Sequence, residues 1–162
     1  MKIIFDCSPL ILLIENLNLR GLFQNCRNRG MELIIPETVW EEFIEKNKDG
    51  ETLSFIRKNF RVVETEVSEE FDRLLDPNSG EMAVASLSKE FQNNGTKYFC
   101  IIDEKYGSKV CRLKGLNVKG SIGFLLTLKE MDLVSSTELC KIKGEIKKSD
   151  FRIKKEYLDM LC

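Results

Sequence analysis

Four acidic residues stand in surroundings that suit them to chemistry. Asp6 ends the apolar run Lys2-Ile-Ile-Phe, and Asp103 ends the run Tyr98-Phe-Cys-Ile-Ile102. Glu42 sits beside Phe43 and three residues after Val39, while Glu81 follows the loop Asp76-Pro-Asn-Ser-Gly80. A cluster of carboxylates repels itself unless cations neutralise it. Carboxylate oxygens are the ligands of hard divalent ions such as Mg²⁺ and Mn²⁺, which keep several waters and bind phosphates. An ion of that kind lowers the pKa of a bound water and stabilises charge growing on a phosphodiester. No histidine is needed for this, and the chain contains none. That absence excludes Ser-His-Asp and Cys-His nucleophilic systems and any histidine general base.

Each acid also has a purely structural reading. Asp6 could cap the helix that follows, and Glu42 could be a solvated helix residue beside Glu41. Glu81 suits the positive end of a helix dipole, and Asp103 could be a loop N-cap. The chemistry depends on all of them meeting in one place, and the elements must bring that about.

Those elements alternate. Short apolar runs at residues 2–6, 31–35 and 98–102 read as buried strands, with a shorter one at 116–118. Helical patterns lie between them, at 19–29, 36–47, 51–60, 68–75, 81–91 and 105–114, and beyond them at 120–131, 135–148 and 153–161. Ser8-Pro9 reads as a helix start, with Ser8 the cap and proline at the first helical position. Arg61-Val-Val63 is too short to assign. Alternating strands and helices imply a mostly parallel sheet covered on both faces, an α/β fold. In such sheets ligands bind at the carboxyl ends of the strands, where Asp6 and Asp103 would sit. No repeat or linker separates a second domain.

Composition narrows the class further. The longest apolar run, Pro9 to Ile14, is followed by Glu15, and Asp6 interrupts the first run, so neither a membrane span nor a secretory signal is expected. The six cysteines form no CxxC pair, which argues against zinc and for reduced, packed thiols in a cytoplasmic protein. Residues 1–96 carry 11 basic and 17 acidic side chains, and residues 97–162 carry 14 and 9. This asymmetry fits two solvated faces, or a division in which the C-terminal half supplies phosphate contacts. Lys105, Lys109, Arg112 and Lys114, on one basic helix, are the candidate contacts.

The sequence resembles a known family. Ile-Ile-Phe-Asp6-Cys-Ser-Pro-Leu-Ile is similar to the Asp-(Thr/Ala)-Ser-Pro-Leu-Ile start of PIN domains. Ile-Pro36-Glu-Thr-Val-Trp-Glu-Glu42-Phe resembles their second-strand and helix motif, and Ser79-Gly-Glu81-Met-Ala-Val-Ala their Gly-Glu-x-x-Ala element. Ile101-Ile-Asp103-Glu-Lys and Gly120-Ser-Ile-Gly-Phe-Leu-Leu resemble the Asp strand and the Gly-Thr-x-Gly-x-Leu-Leu segment. The motifs run in order over residues 3–131. The tail resembles that of short archaeal and bacterial PIN proteins, so residues 132–162 are expected to be a helical extension of the same domain as residues 1–131.

The resemblance implies a PIN-like three-layer α/β/α fold. It also implies catalytic, metal-binding acids at Asp6, Glu42, Glu81 and Asp103, with Mg²⁺ or Mn²⁺ as cofactor. Glu42 is preferred to Glu41 because it directly precedes Phe43, where the family has its apolar residue. Ser8 and Ser121 occupy positions of hydroxyls near the metal, and Glu104 is a weaker supporting acid. Cys7 departs from the family's Thr or Ala but is also small. The implied activity is a metal-dependent endoribonuclease. It would be VapC-like, the toxin of a toxin–antitoxin pair, or an RNA-processing enzyme, with RNA, an antitoxin protein and a second copy of itself as partners. The competing reading is a catalytically inactive PIN-fold module that binds RNA or protein. A haloacid-dehalogenase-type enzyme would place a second acid two residues after Asp6, where this chain has Ser8, and no P-loop or GxGxxG is present.

Overall fold

The computed structural model describes residues 1–162. Five strands form a single sheet: β1 (Lys2–Phe5), β2 (Glu32–Pro36), β3 (Arg61–Val63), β4 (Tyr98–Ile101) and β5 (Val118–Lys119). Their order is β3-β2-β1-β4-β5, and every pairing is parallel. The helices are α1 (Cys7–Leu10), α2 (Arg20–Asn28), α3 (Glu37–Lys46), α4 (Gly50–Asn59) and α5 (Gly80–Asn93). They continue with α6 (Lys105–Leu113), α7 (Ser121–Glu130), α8 (Ser136–Lys148) and α9 (Lys155–Asp159). The architecture is a three-layer α/β/α fold.

The strands read as unbroken apolar runs because the sheet is covered on both faces. Ile3, Ile4 and Phe5 are fully buried, as are Cys100 and Ile101. Phe5 meets the rings of Phe23, Phe60 and Phe124 edge-on at 5.6, 5.5 and 5.5 Å between centroids. Edge-on ring pairs contribute about 0.5–1.5 kcal/mol each beyond their burial. This aromatic cluster holds the end of β1 rigidly just before the chain reaches Asp6.

Strand order determines where a ligand can sit. From β1 the chain moves outward to β2 and β3, then crosses back to lay β4 on the other side of β1. The reversal makes β1 and β4 the topological switch point, and a crevice opens beyond their carboxyl ends. Asp6 N–H still donates to Ile101 O at 3.1 Å, so the ladder runs up to the mouth of that crevice.

The elements depart from the sequence expectation in several places. Ser8 is not a cap: α1 starts at Cys7 with Asp6 as N-cap, and it widens into a π-helical stretch over Ile11–Asn16. The helix expected over 68–75 closes only a single 3₁₀ turn, Glu69–Phe71. Ser68 N–H is held by Ser86 Oγ at 3.0 Å, and Asp76-Pro77 stops propagation soon after. Arg61–Val63 becomes a strand because β2 offers a free edge, pairing Ile34 with Arg61.

The tail packs into the main core through Leu139, Ile142, Ile146, Leu158 and Leu161. Lys143 Nζ ties it down, donating to Asp159 Oδ1 at 2.9 Å and to Cys162 O at 2.8 Å. The spacing of the six cysteines predicts reduced thiols throughout, and the structure differs at two of them. Cys7, Cys26, Cys100 and Cys111 are free and buried, but Cys140 and Cys162 form a disulfide. Their α-carbons stand 5.1 Å apart, inside the range a bridge requires, a proximity that a separation of 22 residues does not reveal. No helix is long and apolar enough to cross a membrane.

Candidate carboxylate site

Asp6 is the hub of the site. It is almost fully buried, and its carboxyl is pushed up to about 7. Burial is the main cause, followed by the negative charge of Glu81, with Glu42 and Asp103 adding to it and the Cys7 amide partly opposing. All three other acids are therefore close enough to act on Asp6, although they arrive from α3, α5 and the end of β4.

Glu42 reaches Asp6 across Gly80. A β-carbon on Gly80 would stand 2.8 Å from Asp6 Oδ1, 3.0 Å from Glu42 Oε2 and 3.1 Å from Val39 Cγ2. Glycine is the only residue that leaves both carboxylates in place. Between the paired acids of α3, Glu41 is exposed and Glu42 is partly buried and turned to Asp6. Lys46, one turn on, donates to Glu42 Oε1 at 2.5 Å, and this bond raises the Lys46 pKa.

Glu81 lies in the first turn of α5, whose N-cap Ser79 accepts from Met82 N–H at 3.2 Å. Its Cγ would be 2.9 Å from a β-carbon on Gly107, so a second glycine makes room for a second acid. Asp103 is held from the far side. Ser121 N–H donates to its Oδ1 at 2.7 Å and Ser121 Oγ–H to its Oδ2 at 2.6 Å. A β-carbon on Gly120 would come within 3.1 Å of that Oδ1. Surrounding protein raises the Asp103 carboxyl and the Ser121 bonds lower it. The residue keeps an exposed edge at the crevice mouth.

The remaining candidates divide. Ser8 and Asp103 line the same cleft. Glu104 acts as the N-cap of α6, accepting from Tyr106 N–H at 2.9 Å and Gly107 N–H at 2.5 Å. Cys7 is pushed up to about 12 by burial and the neighbouring acids, so it stays a thiol and is no nucleophile. Of the basic candidates, Lys105 and Arg112 line the cleft. Lys114 points elsewhere, pairing with Glu70 at 3.8 Å, and Lys109 is exposed on α6 outside the cleft lining.

Sequence reasoning missed Lys46, because an i, i+4 partner on a solvated helix is an ordinary surface pattern. It also missed Lys119, Arg152 and Lys154, which enter the cleft only through tertiary folding. As the side chains stand, no three acids or thiols are gathered tightly enough to close around an ion. Glu42 Oε1 is taken up by Lys46 and the Asp103 carboxylate by Ser121.

The chain is thus a parallel α/β protein whose acids gather at the carboxyl ends of β1 and β4, the switch point where such sheets bind ligands. The family model described as a PIN domain matches residues 2–161, and the chain belongs to that family. Its fold is therefore of the nuclease type, and PIN nucleases act on nucleic acid, typically with divalent metals. None of the curated proteins matches the chain.

Proposed function

We propose that the chain is a Mg²⁺- or Mn²⁺-dependent endoribonuclease with Asp6, Glu42, Glu81 and Asp103 as its metal-holding acids. The observation that carries this reading is the convergence on Asp6. Burial pushes the Asp6 carboxyl up to about 7, and the charges of Glu81, Glu42 and Asp103, from distant elements, add to the rise. Such an arrangement is unfavourable by itself, and a divalent cation relieves it.

The donor set fits that cation. The acids and the hydroxyls of Ser8 and Ser121 offer the oxygen ligands preferred by Mg²⁺ and Mn²⁺, and the nearby Cys7 remains protonated. When bound, the metal supplies an acidified water and neutralises charge on the phosphodiester. The protein contributes everything else. Asp6 is fixed by the aromatic cluster behind Phe5, and Ser121 orients Asp103 through two hydrogen bonds. Gly80, Gly107 and Gly120 leave space for the acids to adjust. Lys46 stands beside Glu42, where a phosphate oxygen can draw it away once the acid is otherwise engaged.

Two physiological settings suit such an enzyme: the toxin of a toxin–antitoxin pair, and RNA processing. A small protein encoded beside this chain that binds it and blocks cleavage marks the first, and sedimentation tests the expected homodimer. The activity itself is tested by incubating purified protein with a mixed RNA pool in Mn²⁺ or in EDTA and mapping the ends. Metal-dependent internal cuts are expected. Equal cleavage in EDTA, or none in either, overturns the reading.

A further inference from the structure

Beside the carboxylates lies a cleft of about 690 Å³, bounded by the segment after β4, by α6 and α7, and by the tail from Phe151 to Met160. Asp103 and Ser8 stand on its rim, so it is continuous with the acid site. Its walls combine two chemistries. Lys105, Arg112, Lys119, Arg152 and Lys154 bring positive charge. Ile122, Leu126 and Ile153, with the aromatic rings of Phe151 and Tyr157, bring apolar surface.

Four of these five cations are free of carboxylates, while Lys154 lies 3.5 Å from Glu156 Oε1. Lys2, Arg20, Lys46, Arg61, Lys89, Lys114 and Lys143 all sit within salt-bridge distance of carboxylates. Lys105, Arg112, Lys119 and Arg152 have no carboxylate partner, although Lys119 Nζ lies 5.7 Å from the centre of the Phe99 ring. Tyr157 is 49% exposed and Met160 57% exposed, although both line the cleft. Unpaired cations beside open aromatic surface match a ligand with phosphates and flat rings, the pattern of single-stranded nucleic-acid sites. The tail that forms this wall is anchored by Leu158 and Leu161 in the core, by Lys143 and by the Cys140–Cys162 bridge.

We propose that this cleft is a nucleotide subsite. It takes one unpaired residue of an RNA strand beside the scissile bond, with the base against Tyr157 and flanking phosphates on Arg112, Lys119 and Arg152. This rests on the ribonuclease reading for the position of the scissile phosphate. A cleft of several hundred Å³ is the size that encloses a ligand of nucleotide dimensions. A base held in a duplex is stacked and paired and cannot enter it, so the subsite restricts the enzyme to single-stranded RNA. It also gives the basic C-terminal half a specific task, contributed by residues that are far apart in sequence.

The test uses a short fluorescein-labelled oligoribonucleotide of mixed sequence, alone and annealed to its complement. Binding is read by anisotropy in EDTA, and cleavage of the single strand in Mn²⁺. The proteins are wild type, Tyr157→Ala, Arg152→Glu and, as control, Lys58→Glu, which lies in a separate pocket with Arg27 and Arg61. Tyr157, Arg152 and Lys58 are all exposed, so the changes leave the core intact. The wild type should prefer the single strand, and each cleft variant should weaken its binding about tenfold, with the control unchanged. In cleavage the cleft variants should raise KM about tenfold and shift kcat less than about threefold. Arg152→Glu should also flatten the salt dependence of binding. Equal affinity for duplex and single strand, or wild-type Kd and KM in both cleft variants, overturns the subsite. Single-strand binding that depends on Tyr157 without cleavage by the wild type overturns the ribonuclease reading instead and leaves the subsite standing.

Discussion

Gly80 lies so close to Asp6 that a methyl group on its α-carbon would stand 2.8 Å from Asp6 Oδ1. The same methyl would stand 3.0 Å from Glu42 Oε2. Gly80→Ala must therefore move two of the four acids. Alanine in a first helical turn is favourable by up to about 1 kcal/mol, which offsets much of the clash with flexible side chains. The fold should survive with a melting temperature close to wild type. Cleavage in Mn²⁺ should fall about a hundredfold, the scale of effect for reacting groups displaced by an ångström. Wild-type rates in Gly80→Ala would show that Asp6 and Glu42 do not work together.

Ser121 acts on Asp103 through two contacts, of which the side chain supplies one. Ser121→Ala removes the 2.6 Å hydroxyl bond and leaves the 2.7 Å backbone bond. Stability should drop by about 1 kcal/mol. Mn²⁺ affinity, measured by calorimetry on the folded protein, should fall about tenfold, as for other partners that orient metal ligands. Unchanged affinity would reduce Ser121 to a helix-start residue.

The Asp6 carboxyl gives the metal-free protein a characteristic pH response. Its folded value of about 7 lies above the unfolded 3.8, so the folded state binds the extra proton in between. Stability is then greatest below the unfolded value and declines as pH rises towards the folded one, at up to about 1.4 kcal/mol per pH unit. Thermal melts in EDTA should therefore fall between acidic and neutral pH. Adding Mg²⁺ or Mn²⁺ should reverse the trend near neutrality, because the cation binds the deprotonated site and stabilises the fold by mass action. A melting temperature in EDTA that rises steadily over this interval would contradict the crowded site.

The tail bridge should matter for stability more than for chemistry. Cys162→Ser opens a loop whose ends are 22 residues apart in sequence, worth about 3 kcal/mol in the chain-entropy model. Lys143 and the buried Leu158 and Leu161 retain part of that. The expected result is a melting temperature lower by several degrees, with kcat nearly unchanged. A large loss of kcat would mean that the tail contributes to the reaction itself.

Some of this was legible in the sequence, for identifiable reasons. The strands holding Asp6 and Asp103 are buried on both faces, so they appear as uninterrupted apolar runs that stop abruptly at an acid. The parallel sheet follows from strands separated by helices, and the PIN resemblance follows from motifs in order. Other features depend on tertiary contacts with no local signal. Arg61–Val63 is a strand only because β2 has an edge to offer, and residues 68–75 lost their helix to Ser86. Lys119, Arg152 and Tyr157 meet only because the tail folds back over α6 and α7. Lys114 looked like a phosphate contact and instead pairs with Glu70, since one side of α6 faces the acidic turn before α5. The Cys140–Cys162 bridge had no spacing pattern to announce it.

Asp103→Asn tests the central claim most directly. The substitution keeps the size of the side chain, retains the Ser121 amide bond and removes one negative charge from the crevice. The protein should fold as wild type does. RNA cleavage in Mn²⁺ and RNA affinity by gel shift should be measured in parallel on wild type and variant, with EDTA as the blank. The account predicts metal-dependent cleavage by the wild type, a loss of at least about a hundredfold in the variant, and RNA binding that persists or tightens. Undiminished cleavage by Asp103→Asn, or a wild type that binds RNA without cutting it in any divalent metal, would contradict it.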